Sequence, residues 1–289
     1  MDVNDHLGLG PLPFLVTSPA RQTAPLVFAS PHSGRLYPDD FLAQSRLDRH
    51  ALRRSEDSFI DEVFAAAPLN GMPLLAATFP RAFCDVNREP WELDPTMFDG
   101  PLPGWVNTTS PRVNAGLGTI PRVVAAGQSI YGQRLSFSTA EARIRDHWQP
   151  YHDAMARLIE ATRQDFGHCL LVDCHSMPSS QAQSQDGAEI VLGDAHGTAC
   201  APRVMRIFEE GFREAGYSVR RNDPYAGGYT TRHYGRPREG LHAIQIEIAR
   251  SLYMNEARIE PHAGLTRLSA NVAVLCARWA ADDWSWLNR

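Results

Sequence analysis

The sequence predicts an α/β domain in which one sheet is covered by helices on both faces. Short apolar runs rich in strand-forming residues alternate with segments of helical periodicity along most of the chain. Several of these runs end abruptly in turn-forming residues, as buried strands do when they leave a sheet. No internal repeat or linker of changed composition interrupts the pattern. We therefore expect an extended lead-in over residues 1–24 and a single domain over residues 25–289.

The composition is typical of a soluble globular protein, with 43% hydrophobic and 21% charged residues in a chain of 289. A net charge of -5 and the lack of dense Lys/Arg runs give no reason to expect a nucleic-acid partner. No apolar segment is long enough for a membrane span, and the acidic N-terminus lacks the apolar core of a signal peptide. The five cysteines form no CxxC pair, so we expect reduced thiols and a cytoplasmic location.

The first half of the chain supplies polar side chains at strand ends. A strand over residues 25–30 ends at a Pro-His-Ser-Gly turn, so that His32 follows directly on an apolar run. A helix is expected over residues 46–67, where the acidic pair Glu56-Asp57 interrupts the apolar periodicity. A strand over residues 72–79 then leads into a polar segment with two arginines. The Pro- and Gly-rich residues that follow predict a long loop that packs through its aromatic side chains.

The second half of the chain also alternates between predicted strands and predicted helices. The predicted elements are a helix over 138–164 that Pro150 divides or kinks, a strand over 169–174, a mobile Ser/Gln-rich loop over 179–187, a strand over 189–194, a helix over 201–216, a strand over 217–220, a Gly-rich loop over 222–240, a strand over 241–250 and a helix over 261–279.

The strand at 169–174 organises the candidate site. The period of two places Asp173 and His175 on one face and Cys174 on the other. Ligands bind at the carboxyl ends of strands in α/β sheets, so His175 is a candidate metal ligand with an orienting carboxylate close by. A hydrogen-bonded histidine at a strand end is the alternative.

A glutamate lies within the apolar strand near the C-terminus. The alternation places Gln245 and Glu247 on one face, opposite three isoleucines. A buried ionised glutamate needs a partner, which would be a metal site or an arginine such as Arg250 or Arg232. Hydrolytic zinc sites use three protein ligands and a nearby carboxylate base, which two histidines and two acids would provide.

Seven separated motifs resemble those of the N-formylglutamate amidohydrolase family. They are Pro31–Gly34 with Tyr37-Pro38, Asp85–Arg88, Asp173–Pro178, Val191–Asp194, Asn222–Tyr225, His233–Pro237 and Gln245–Ile248. The resemblance covers about residues 26–275. It implies a mixed central sheet flanked by helices on both faces, similar to zinc carboxypeptidases and aspartoacylase (a phosphorylase/hydrolase-like architecture). The implied reaction is hydrolysis of N-formyl-L-glutamate to formate and L-glutamate, a late step of one route of histidine degradation.

The resemblance also implies a metal centre of Zn2+ or another divalent metal. His32 and His175 match the two histidine ligands. Glu247 matches the general base, which passes a proton from the attacking water to the leaving nitrogen. The carboxypeptidase pattern has a glutamate ligand three residues after the first histidine, but that position is Arg35 here. We therefore expect the carboxylate ligand to be Asp57, with Glu56 as the alternative.

Four further residues are candidates for binding the small-molecule substrate or its reaction intermediate. Asn87 and Arg88 match the carboxylate clamp of the wider superfamily. Arg81 would stabilise the oxyanion of the tetrahedral intermediate. Because the implied substrate has two carboxylates, Arg232 is a candidate for the second, with a surface role as the alternative. Gly227-Gly228 would let the loop that carries Arg232 close over the substrate.

Two rival functions stay open at this point. The first is a zinc-dependent deacylase of another N-acyl amino acid, and the second is a non-catalytic carboxylate-binding protein of the same fold. A serine hydrolase is less favoured because no GxSxG motif is present. A cysteine mechanism is also disfavoured because Cys174 points away from His175. The sequence does not predict an oligomeric state.

Overall fold

A seven-stranded mixed sheet forms the centre of the structure, a computed structural model that describes residues 12–124, 127–182 and 187–288. Its strands are β1 (Phe14–Thr17), β2 (Leu26–Ser30), β3 (Leu74–Ala77), β4 (Cys169–Met177), β5 (Ile190–Gly193), β6 (Val219–Arg221) and β7 (Leu241–Ala249). They lie in the order β1-β3-β2-β4-β7-β5-β6. Strands β3, β2, β4 and β7 are parallel, whereas β1 is antiparallel to β3 and β5 to β7. A separate two-stranded sheet pairs β8 (Met254–Asn255) with β9 (Glu260–Pro261).

Helices cover both faces of the central sheet. They are α1 (Asp39–Gln44), α2 (Arg49–Arg53), α3 (Ile60–Val63), α4 (Pro111–Asn114), α5 (Phe137–Arg143), α6 (Gln149–Phe166), α7 (Ser179–Ala182), α8 (Pro202–Glu214), α9 (Tyr229–Tyr234) and α10 (Ala263–Ala281). Apolar side chains of α3, α8 and α10 pack on one face, and those of α5 and α6 pack on the other. The predicted α/β fold with a mixed sheet between helices is confirmed.

The two faces of the sheet differ in polarity. Along β7, Ile244, Ile246 and Ile248 belong to the core under α8 and α10, so this face is apolar at these three positions. On the opposite face, Leu241 and Ala243 pack in the core under α6, but the next two side chains are polar. The face under α6 therefore changes from apolar to polar toward the carboxyl ends of the strands, where an α/β sheet binds its ligands.

The predicted helix over residues 46–67 is wrong. The segment forms two short helices, α2 and α3, and the acidic pair lies in the turn between them. The backbone N–H of Asp57 donates to the carbonyl of His32 at 3.0 Å. Phe59 adopts a left-handed conformation with φ 68°, which no helix interior accommodates. The turn directs Asp57 toward the sheet.

Four other segments differ in detail from the prediction. The lead-in contributes the edge strand β1, which is too short and too exposed to show a clear pattern, and residues 1–11 lie outside the described part. The predicted 222–240 loop contains α9. The predicted mobile loop begins with α7, and residues 183–186 are outside the described residues. A π-helical turn at Ile144–Trp148 separates α5 from α6, next to Pro150.

In the part of the chain that the structure describes, no helix has both the length and the apolar character that crossing a membrane requires.

Candidate active site

A cleft of 570 Å³ opens at the carboxyl ends of β2, β4 and β7. The strand register brings its central groups together, because His175 on β4 lies directly beside Glu247 on β7. His32 lies two residues after the end of β2, which is the other neighbour of β4. These three side chains are buried, and all of them line the cleft.

Two imidazoles meet one carboxylate oxygen at the base of the cleft. Oδ2 of Asp57 lies 3.2 Å from Nδ1 of His32 and 3.0 Å from Nδ1 of His175. The two rings are 4.8 Å apart between centroids. One ligand atom from each of the three residues lies within 4.8 Å of the other two. The structure thus brings together the three residues that the sequence analysis predicted as metal ligands.

Asp57, and not Glu56, points at the histidines. The second oxygen of Asp57 accepts a hydrogen bond from Ser176 Oγ at 2.9 Å and lies 3.4 Å from Nη2 of Arg250. The carboxylate of Glu56 is bound elsewhere, by Tyr37, Arg53 and Ser58.

A further carboxylate stands behind each imidazole. Oδ1 of Asp85 lies 2.8 Å from Nε2 of His32, and Oδ2 of Asp173 lies 3.0 Å from Nε2 of His175. When the imidazole is neutral, a carboxylate in this position keeps the proton on Nε2 and leaves the Nδ1 lone pair to a cation. Two imidazole nitrogens and one carboxylate oxygen are also a donor set that suits zinc and similar divalent ions. The residues present therefore fit a divalent metal.

The local electrostatics favour positive charge between these groups. Although burial alone lowers it, the acidic neighbours Asp173 and Asp57 raise the pKa of His175 well above its usual value. Although burial alone raises it, hydrogen bonds from the two imidazoles hold the pKa of Asp57 well below its usual range. A proton or a cation bound between the imidazoles and Asp57 would therefore stabilise the site.

Glu247 carries an elevated pKa beside this cluster. Burial raises the pKa of its carboxyl to about 7, with nearby Asp57 adding to the rise and His175 opposing it. Its Oε1 accepts a hydrogen bond from Nε2 of Gln245 at 2.8 Å. Among the described residues no salt bridge joins Glu247 to Arg250 or Arg232, and Arg250 pairs with Asp57 and Glu256 instead. The salt-bridge alternative for Glu247 is therefore wrong.

The predicted arginines of the site differ in their hydrogen bonds to the protein and in their exposure. Arg81 Nη2 donates to Asp85 at 2.7 Å. Arg88 is buried and donates to the carbonyls of Leu117 and Asn87 at 2.9 and 2.7 Å. Arg232, on α9, is exposed. All three arginines line the cleft.

Asn87 connects the cleft to α9. Its Oδ1 accepts from the backbone N–H of Thr230 at 2.8 Å, and its Nδ2 lies 3.2 Å from Nε2 of His175. One end of this side chain is thus hydrogen-bonded to α9, and the other lies against the ring of His175. Asn87 fixes the wall of the cleft as well as lining it.

Sequence reasoning gave no role to Asp85, Ser176 or Arg250 in this cluster. Asp85 opens the Asp85–Arg88 motif, which the resemblance included without a role for this residue. Arg250 was considered only as a partner of Glu247. Cys174 packs in the apolar core of the opposite face, as the alternation predicted. His152 is a buried packing residue, with Nδ1 2.8 Å from the hydroxyl of Tyr234.

Comparisons with known proteins show that the chain is a hydrolase that acts on amide bonds. The chain belongs to the N-formylglutamate amidohydrolase family, whose sequence profile matches residues 24–254. This confirms the resemblance found in the sequence.

Individual relatives agree with this assignment. The chain is 30% identical over 237 residues to the N-formylglutamate deformylase of Pseudomonas putida, covering 80% of this chain and 82% of the relative. It is 32% identical over 248 residues to the deformylase of Pseudomonas aeruginosa, covering 83% and 86%. The crystal structure of N-formylglutamate amidohydrolase from Ralstonia eutropha JMP134 superimposes with a TM-score of 0.88 at 37% identity, covering 93% of this chain and 98% of that one.

Proposed function

We propose that the chain hydrolyses N-formyl-L-glutamate to formate and L-glutamate with the help of zinc or another divalent cation. The observation that carries the proposal is the convergence of His32, Asp57 and His175 beside Glu247 in a cleft lined by arginines. The names of the relatives support the substrate. As the sequence resemblance implies, we assign the reaction to histidine degradation, and the free cysteines support a cytoplasmic location.

The metal would be held by His32 Nδ1, His175 Nδ1 and a carboxylate oxygen of Asp57. A divalent cation there would polarise the formyl carbonyl and acidify a water molecule. The protein keeps the two imidazoles in place through Asp85 and Asp173. It keeps the carboxylate in place through Ser176 and Arg250.

Glu247 is the base of the proposed reaction. It takes a proton from the water whose oxygen adds to the formyl carbon. It then delivers that proton to the glutamate nitrogen as the carbon–nitrogen bond breaks, which leaves formate and a free amine. Burial raises the pKa of this carboxyl above its usual value, which brings both proton acceptance and proton donation closer to neutral pH.

Arginines bind the charges of the substrate and of the intermediate. Arg81, fixed by its bond to Asp85, stabilises the oxyanion that forms on the formyl oxygen. Arg88, held by two carbonyls beside Asn87, binds one substrate carboxylate. Arg232 is available for the other carboxylate, since its guanidinium lines the cleft without an ion pair among the described residues.

A substrate panel tests the proposal. Protein purified without chelator is first analysed for metal, and we expect about one equivalent of a divalent ion. Formate release from N-formylglutamate is then compared with release from N-formylaspartate and with deacetylation of N-acetylaspartate, and we expect the highest kcat/KM for N-formylglutamate. A higher kcat/KM for another acyl substrate would instead identify a different deacylase. Lack of metal and of all turnover would identify a binding protein.

A further inference from the structure

A second, smaller cavity of 330 Å³ shares a wall with the active-site cleft. Five residues line both cavities, namely Asn87, Arg88, Arg112, Gly228 and Arg232. Three of them are arginines and none is acidic. The shared wall is therefore a concentrated patch of positive charge at the outer side of the cleft.

Arg112 and Arg232 reach this wall from distant parts of the chain. Arg112 belongs to α4, in the long segment that follows the Asp85–Arg88 motif, and Arg232 belongs to α9. Within the described residues, neither guanidinium group makes a hydrogen bond or an ion pair. Arg81 and Arg88, in contrast, are bound to protein oxygens. The two outer arginines are thus free to bind a ligand.

Positive charge accumulates at the wall. Burial lowers the pKa of Arg88 to about 10; the carboxylate of Asp85 opposes this fall, whereas the nearby cations Arg81 and Arg112 add to it. A carboxylate is a planar acceptor that two guanidinium groups bind well. A bound anion at the shared wall would relieve the repulsion between these side chains.

We infer that Arg112, together with Arg232, binds the side-chain carboxylate of the substrate and makes the enzyme selective for a dicarboxylate. The inference rests on the proposed function and assigns a residue to that site. Arg88, the buried arginine, binds the carboxylate nearer the scissile bond. Glu89 and Glu92 line only the outer cavity, so negative charge is favoured at the shared wall and disfavoured beyond it.

The test compares a charged substrate with its neutral amide. For Arg112→Gln we expect kcat/KM with N-formylglutamate to fall by about 10- to 100-fold, mainly through KM, as for loss of a charge-assisted hydrogen bond. With N-formylglutamine we expect a change within about twofold. Arg134→Gln is the matched control, because Arg134 is also exposed and lines a different cavity. This control should behave as the wild type with both substrates.

Inhibition by product-like acids gives a second readout. Glutarate should lose affinity for Arg112→Gln, whereas butyrate, which has a single carboxylate, should bind unchanged. An equal loss with charged and neutral substrates, or an unchanged preference for N-formylglutamate, would overturn the subsite while leaving the proposed function in place. Failure of the metal-loaded wild type to release formate from N-formylglutamate would instead overturn the proposed function.

Discussion

Asp85 is bound by three groups at once, and this residue shows how single side chains set the geometry of the site. His32 Nε2, Arg81 Nη2 and the backbone N–H of Asn87 lie 2.8, 2.7 and 2.9 Å from its two oxygens. One buried carboxylate therefore orients a proposed metal ligand, the proposed oxyanion arginine and the start of the cleft wall together. Such groups behind metal ligands are typical of metal sites.

The base assignment leads to a first prediction at the residue scale. Glu247→Gln keeps the shape of the side chain and its bond from Gln245, but it removes the proton acceptor. We expect kcat to fall by about 10²- to 10⁴-fold with metal content unchanged. Steady-state formate release and elemental analysis check this. Glu260→Gln, at an exposed glutamate, is the control. Residual activity within tenfold of the wild type would refute the assignment.

The ligand assignment leads to a second prediction. His175→Ala removes one of the three donors and leaves Asp57 and Asp173 without their shared partner. We expect zinc affinity to fall by at least about 100-fold, measured by titration against a competing chelator. His196→Asn serves as the control, because His196 is exposed with φ 56° and asparagine accepts that backbone conformation. Normal zinc binding by folded His175→Ala would show that the ligand set is wrong.

At the scale of elements, α9 is attached to the site through its first residues. The N–H of Gly228 donates to Gln245 at 2.9 Å, and the N–H of Thr230 donates to Asn87 at 2.8 Å. Gln245 in turn holds Glu247. The segment that carries Arg232 is therefore bonded directly to the residues around the proposed base.

Gly228 allows this attachment, which gives a third prediction. A Cβ at Gly228 would lie 2.4 Å from the amide of Asn87, and Asn87 cannot move without losing its bond to Thr230. We expect Gly228→Ala to destabilise the fold by about 1–3 kcal/mol and to lower kcat/KM. Gly104→Ala is the control, because a Cβ there meets nothing within 4 Å. Urea unfolding and kinetics together measure both effects, and identical behaviour of the two variants would contradict the prediction.

The elements also show which parts of the fold are predictable from sequence. Strands β2, β4 and β7 carry apolar runs that signal buried strands, and their alternation placed Asp173, His175 and Glu247 correctly. No apolar pattern of this kind indicates that the chain turns between α2 and α3. This turn depends on the bond between Asp57 and the carbonyl of His32, which the two segments make only in the folded state.

At the scale of the whole molecule, the sequence predicts the sheet better than the outer parts of the cleft. The base of the cleft is built from strand ends, whose periodicity is local. The outer wall instead depends on how the segment that carries Arg112 packs against α9. An arginine in a Pro- and Gly-rich loop has no periodic pattern that indicates its position, so Arg112 was not identified from the sequence.

Stability should depend on pH through His152, which gives a fourth prediction. Burial lowers the pKa of this histidine to about 4, whereas the unfolded chain has an ordinary value of about 6.5. Below about pH 6.5, His152 binds a proton in the unfolded chain but stays neutral in the folded protein. The free energy of unfolding therefore falls as the pH drops toward 4. The loss attributable to His152 is up to about 3 kcal/mol.

Urea unfolding at several pH values, with chelator present, measures this dependence. His152→Gln should flatten the curve between about pH 7 and 4.5 by about 1–3 kcal/mol relative to the wild type. His50→Gln, at an exposed histidine, is the control. Parallel curves for the wild type and His152→Gln would contradict the prediction.

Strand β7 lies between β4 and β5, so Glu247 is flanked by a paired strand on both sides. The proposed base is thereby placed within the central sheet, whereas Arg112 and Arg232 are carried by two short peripheral helices. Their side chains are exposed, so replacing them would change which acid is accepted while keeping the backbone hydrogen bonds that join the start of α9 to Gln245 and Asn87. For protein engineering, these two arginines are the positions at which we expect substrate choice to change.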